Sequence, residues 1–261
     1  MADTQNMQDL RLFLIRELLA ERPELTHEAI PTSELEQRRL LRGLMNVRMP
    51  GLPSTAFLKA QDAYLQARIA ENGITHFSEL TPLRPHMFLW RGDITTLECD
   101  AIVNAANENM TGCWGPNHIC IDNCIHTFAG VQLRYECAQL MEKQGYPEPT
   151  GQAKITAAYN LPTKHVIHTV GPIADGSPTP EHCEQLASSY KSCYELAREQ
   201  GLHSLAYCCI STGIFGFPQE EAARIAVDTV TELQANDPKA LDVIFNVFSE
   251  KDERIYQKLL S

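Results

Sequence analysis

Cys113, His118 and Cys120 fall within eight residues of this chain, inside the segment GCWGPNHICIDNCIH from Gly112 to His126. Thiolate and imidazole are donors that hold Zn²⁺, and three of them leave one tetrahedral position vacant for water or substrate. The spacing C-x4-H-x-C is not the paired C-x2-C of a structural zinc finger. With 9 Cys and 9 His in the chain, such a triplet also arises by coincidence, and free cysteines often serve as small buried hydrophobes. Gly112, Gly115, Pro116 and Asn117 supply the turn residues that let a loop fold back around an ion.

Four other segments, each just after a strand-like run, carry residues suited to a nucleotide. In Gly92-Asp93-Ile94-Thr95 the acidic side chain can accept from an adenine amino group while the next backbone N–H donates to the ring. A plain Asx-turn is the competing reading. Asn104-Ala105-Ala106-Asn107 combines alanines, which admit close backbone approach, with amides that can bind ribose hydroxyls. Ser211-Thr212-Gly213-Ile214-Phe215-Gly216-Phe217-Pro218 lies between a strand and a helix, where backbone N–H groups can face a phosphate. It is neither a Walker A loop nor the G-x-G-x-x-G fingerprint. Phe215 and Phe217 are expected as walls of the pocket. Phe248, ending the last strand, can stack on a base or pack in the core.

The elements that must position these residues divide at His86. Before it the chain reads as helical. Asn6–Arg22 carries Met7, Leu10, Leu14, Leu18 and Leu19 on one face and is stopped by Pro23. Ser33-Glu34-Leu35-Glu36 is a capping box that opens a second helix with Leu40, Leu41, Leu44 and Val47. After the break at Met49–Pro53, Ser54 caps a third helix ending at Asn72-Gly73. From His86 onward, strands are expected at Met87–Trp90, Ala101–Val103, Lys154–Ala158, Val166–Val170, Leu205–Ile210 and Val243–Phe248. Helices are expected at Asp122–Lys143, Glu181–Gln200, Pro218–Gln234 and Lys251–Leu260. Alternation of this kind predicts an α/β sheet with helices on both faces and ligands beyond the strand ends.

At 261 residues the chain suits one sizeable core with an appendage. No apolar run approaches a membrane span, and the N-terminus lacks the pattern of a secretory signal. Nine cysteines without framework spacing point to a reducing compartment, by default the cytoplasm. Net charge is 22 − 33 = −11 with no basic cluster in sequence, which argues against a nucleic-acid binder. A nucleotide held by backbone N–H groups stays compatible with that charge.

Together the segments resemble the macrodomain family, whose members bind ADP-ribose. The resemblance rests on GDIT at 92–95, DAIVNAAN at 100–107, IDNCIHTFAG at 121–130, TGQAKITAAYNLPTKHVIHTVGP at 150–172, STGIFGFP at 211–218 and the strand ending in Phe248. It covers about 86–261. Most macrodomains have a run of glycines where this chain has GCWGPNHIC. That substitution is similar to a zinc-containing branch with a Gly-Cys-aromatic opening followed by Pro, His and Cys-Ile-Asp-Asn. Phenylalanine is the branch's usual aromatic, and Trp114 departs from it. The branch also carries a helical N-terminal extension, matched here by 1–85.

The resemblance implies a three-layer α/β/α fold with a central mixed sheet, and one Zn²⁺ per chain on Cys113, His118 and Cys120. It implies Asp93 and Ile94 at the adenine, with Phe248 stacked on it. Ser211, Thr212, Gly213, Ile214, Phe215, Gly216 and Phe217 would wrap the diphosphate and distal ribose. Asn107, Ile121, Asp122 and Asn123 would line that ribose. Asn107 and Asp122 are the expected catalytic residues, Asp122 standing where other hydrolytic macrodomains keep an aspartate linked to catalysis.

The expected activity is zinc-dependent removal of ADP-ribose from modified protein side chains, by attack of water at the anomeric carbon of the distal ribose. The partner is an ADP-ribosylated protein, with a lipoyl-carrier protein associated with the branch, and the chain is expected as a monomer. Competing readings are a non-catalytic reader of ADP-ribose, a deacylase of small-molecule ADP-ribose esters, and a redox or zinc sensor. His126, His165 and His168 are expected as packed or hydrogen-bonded residues. Cys124, Cys137, Cys183, Cys193, Cys208 and Cys209 are expected as packing residues.

Overall fold

The computed structural model describes residues 2–22, 24 and 29–261, with side chains from residue 6 onward. Three helices come first: α1 (Ala2–Ala20), α2 (Glu34–Asn46) and α3 (Thr55–Asn72). Pro23, expected to stop the first of them, lies outside the described residues. The Ser33 hydroxyl accepts from the Glu36 N–H and donates to its carboxylate at 2.7 Å, opening α2. Ser54 caps α3 by accepting from the Phe57 N–H. Leu14, Ile15 and Leu18 of α1 pack with Leu41 and Leu44 of α2 and Phe57 and Leu65 of α3 in a core of their own.

The chain continues through β1 (Thr75–His76), β2 (Pro82–Arg84), β3 (Met87–Arg91), β4 (Leu97–Glu98), β5 (Ala101–Ala105), α4 (Ile121–Ala129) and α5 (Val131–Gln144). It ends with β6 (Ala153–Ala157), β7 (His165–Thr169), α6 (Pro180–Glu199), β8 (Ser204–Tyr207), α7 (Gln219–Ala235), β9 (Asp242–Val247) and α8 (Glu250–Leu260). Seven strands form one sheet in the order β2-β3-β9-β8-β5-β7-β6. The inner pairs are parallel and both edge pairs antiparallel. The sheet is therefore mixed, as expected, with α4 and α5 packed on β5 and β6, and α6, α7 and α8 forming a second packed group. Parallel strands covered on both faces read as continuous apolar runs. Ala101, Ile102, Val103, Val166, Ile167, Val243 and Ile244 are accordingly all fully buried.

The structure departs from the sequence reading in three places. The helix expected over Asp122–Lys143 is two helices, broken at Gly130, whose φ of 102° disfavours any L side chain. The break is made from outside: Gln61 of α3 accepts from the Val131 N–H at 2.9 Å. A Cβ on Gly130 would lie 2.6 Å from the Gln61 Nε2. The strand expected to reach Ile210 stops at Tyr207, where the chain turns out of the sheet. Strands β1, β2 and β4 were not expected, because two or three residues are too few to show alternation. As a result the large sheet begins at Pro82, ahead of His86.

Candidate active site

Parallel pairing brings the chemistry to one edge. Arg91 of β3 is level with Val247 of β9, Tyr207 of β8 with Phe245 of β9, and Ala105 of β5 with Thr169 of β7. Strands β3, β9, β8 and β5 are neighbours in that order. Asp93, Phe248, the 211–217 loop and Asn107 therefore leave the same end of four adjacent strands, where open α/β sheets bind ligands.

At the β3 end the Asp93 carboxylate accepts from Thr95 N at 3.0 Å and from Thr95 Oγ1 at 2.7 Å. The Asx-turn thus exists and fixes the carboxylate in place. Ile94 is 1% exposed, so only its backbone can meet a ligand. Phe248 is 81% exposed, which removes core packing as its role and leaves a bare ring beside the Asp93 turn.

The β8 loop is bent by Ser211 (φ 64°) and Gly216 (φ 66°) and tied back by Phe217 N–H donating to Ser211 O at 2.9 Å. Phe215 O accepts from Ala174 N at 2.8 Å, which pins the loop to its neighbour after β7. Helix α7 starts at Gln219 behind Pro218 with no side-chain cap. Its first N–H groups are thus left for an anion. Thr212, Gly213 and Ile214 are partly or fully exposed on the loop. Phe217 corrects an expectation. It is 2% exposed in the core rather than a pocket wall, because the bond to Ser211 turns it inward, while Phe215 stays half-buried.

At the β5 end, Cys113 Sγ lies 3.5 Å from His118 Nδ1. These atoms and Cys120 Sγ all lie within 4.8 Å of one another. The donor set, two sulfurs and one imidazole nitrogen brought together by a single loop, fits a zinc ion. Burial, and then Cys113 beside it, pushes the Cys120 thiol up to about 12, an arrangement that a bound cation would reverse. Cys120 also caps α4, its Sγ accepting from Asn123 N–H at 3.5 Å.

The loop is held from below by residues that sequence reasoning missed. Arg42 of α2 donates to His118 O and Asn123 Oδ1, both at 2.9 Å. Asn46 Oδ1 accepts from Asn117 N–H at 2.9 Å, and its amide donates to Thr127. Arg134 of α5 donates to Cys113 O at 3.4 Å and to Asn46 O at 2.6 Å, and its guanidinium sits 4.2 Å over the Trp114 ring. Asn123, expected along the ribose, is fully buried, its amide donating to Gly115 O at 3.0 Å. Its side chain is a strut of the loop.

Ile121 opens α4, half-buried, and Asp122 follows, 5% exposed. The Asp122 carboxylate accepts from Asn104 Nδ2 at 2.8 Å and Asn107 Nδ2 at 3.4 Å. Burial raises it to about 6, against the pull of these donors and of Arg134. Asn107 also donates to Gly112 O at 3.1 Å, linking the catalytic candidate to the candidate metal loop, residues 112–120. Asn104 is fully buried and so supports Asp122 instead of meeting a ribose. Beneath it, His168 shares a hydrogen bond with Asn104 at 3.1 Å and one with Thr156 at 3.0 Å. His126 is buried 3.5 Å from Asp122 with neither ring nitrogen hydrogen-bonded, so it packs against the aspartate as a neutral ring. Cys137, Cys193 and Cys208 are buried, whereas Cys124, Cys183 and Cys209 are partly exposed, and all nine cysteines are free.

A mixed sheet with loops suited to a nucleotide at the ends of its parallel strands and an uncapped helix N-terminus define a nucleotide-binding type of α/β domain. The Macro domain model matches residues 103–226. A protein-ADP-ribose hydrolase from Treponema medium is 56% identical over 258 residues, 97% of this chain and 99% of that protein. A second, from Staphylococcus aureus, is 47% identical over 249 residues, 94% of this chain and 93% of its own length. The Trypanosoma brucei macrodomain in complex with ADP-ribose superposes with a TM-score of 0.65 at 30% identity, covering 81% of this chain and 92% of that one. The chain belongs to the macrodomain family.

Proposed function

We propose that this chain is a zinc-containing hydrolase that releases ADP-ribose from modified protein side chains. Its relatives of nearly full length carry the name protein-ADP-ribose hydrolase. The observation that carries the zinc-containing reading is the loop that gathers Cys113, His118 and Cys120 and is bonded through Gly112 to Asn107, itself bonded to Asp122. Phe248 stacks on the adenine and Asp93 accepts from its amino group. The free N–H groups of the 211–217 loop and of α7 neutralise the diphosphate. Asn107 then faces the distal ribose, and Asp122, poised near 6, can take up a proton from an attacking water. Cys113, His118 and Cys120 would hold zinc, which supplies Lewis acidity beside that ribose. The nine free thiols agree with a reducing, cytoplasmic setting. No helix among the described residues is long and apolar enough to cross a membrane.

The test is release of ADP-ribose from a modified protein, with metal content measured on the same sample. Cys113→Ala and His118→Ala are expected to lose turnover by about 10²-fold or more, while ADP-ribose affinity falls much less. Tight ADP-ribose binding with no release would make the protein a reader. Parallel loss of binding and turnover would make the metal a structural clip.

A further inference from the structure

Helices α2 and α3, the last turn of α4 and Asn117 line an open cavity of about 450 Å³ that no step above uses. Arg38, Arg39, Arg42 and Arg68 line it over an apolar floor that includes Met45 and Phe128. No carboxylate lines it, on a chain whose net charge is −11. Glu34 pairs with Arg38 and with Arg11, and Glu71 pairs with Arg68 and Arg38. Arg39 and Arg42 have no carboxylate partner among the described residues. Four guanidinium groups against these two carboxylates leave an excess of two positive charges. Such a local field on an acidic protein selects an anionic partner.

The unpaired groups narrow the chemistry. Arg38 Nε, Arg42 Nε and Asn117 Oδ1 are buried without a hydrogen-bond partner, and all three residues line the cavity. The guanidinium groups call for carboxylate, and the apolar residues beside them call for the methylene groups of a side chain. A polypeptide with acidic side chains offers both. A small inorganic anion offers only the first. The cavity also abuts the metal loop. Asn117 directly precedes His118, and Arg42 lines the cavity while donating to His118 O at 2.9 Å.

We propose that this arginine-lined cavity docks a glutamate- or aspartate-rich segment of the ADP-ribosylated protein substrate. The strand-end cleft reads the ADP-ribose, and the N-terminal helices read the polypeptide attached to it. The proposal rests on the hydrolase reading, which has the modified protein leave the distal ribose beside the metal loop.

The test uses the full chain and two synthetic peptides carrying the same ADP-ribosylated residue, one flanked by glutamates and the other by glutamines. At low salt kcat/KM for the acidic peptide should be about tenfold higher, with the gain in KM, and should converge with the neutral one at high salt. Arg38→Gln combined with Arg39→Gln should erase the preference, and Arg39→Glu, at an exposed position, should reverse it. Both should leave free ADP-ribose affinity unchanged. Equal kcat/KM for the two peptides in the wild type overturns the proposal, as does an equal loss on both peptides in the variants. Protection of the arginines by inorganic phosphate without any flank preference also overturns it, in favour of a small-anion site. If neither peptide releases ADP-ribose, the hydrolase reading fails on its own. Peptide affinities by calorimetry then decide the docking: tighter binding of the acidic peptide supports it and equal affinities overturn it.

Discussion

Asp122 has two asparagine amides donating to it and a neutral imidazole beside it. Replacing it with asparagine keeps the size and removes the proton acceptor. Asp122→Asn is expected to lower kcat for ADP-ribose release by about 10²-fold, with ADP-ribose affinity by calorimetry little changed. His168 makes a different prediction. Burial depresses it from 6.5 to about 3, so the folded state refuses a proton that the unfolded chain accepts. Its contribution to stability is full above 6.5 and is lost as pH falls toward about 3. Urea denaturation across that window should show wild-type stability falling with acid, with a shallower slope in His168→Gln.

The strand-end side of the sheet depends on elements that meet across long sequence separations. Gln61 of α3 supplies the acceptor for the first N–H of α5. Gln61→Ala leaves that buried N–H unpaired and should cost about 1–3 kcal/mol in urea unfolding. Gly130→Ala should also destabilise, by about 1 kcal/mol or more, through its positive φ and the approach of Gln61. Arg42 of α2 acts on the metal loop through the His118 carbonyl. Arg42→Ala is expected to weaken metal retention about tenfold, read as chelator-stripping kinetics, with the α-helical circular dichroism signal intact.

For the whole molecule, the first three helices form a second core, joined to the sheet domain by polar contacts and by Ile69 of α3, which packs in the sheet's own core. Val131 of α5 joins the helical core, and Gln61, Arg42 and Asn46 reach α5, the metal loop and α4. Deleting residues 1–72 would therefore uncover apolar side chains and release the metal loop together. Hydrogen exchange should show the 113–123 segment losing protection in the shortened chain. Retained protection would mean that the sheet domain holds the loop unaided.

The local elements were legible because each is set by neighbours in sequence: Ser33 and Ser54 cap their helices, and the apolar runs of β5, β7 and β9 mark strands buried on both faces. The close approach of Cys113, His118 and Cys120 was legible too, since eight residues confine the three donors to one loop. The break at Gly130, the inward turn of Phe217 and the use of Asn104 and Asn123 as supports were not. Each is decided by a partner from another element, and composition or spacing carries no record of which element arrives. The same is true of the arginine-lined cavity. Its arginines come from α2 and α3, and packing of these helices against α4 and Asn117 alone turns separate surface charges into one site.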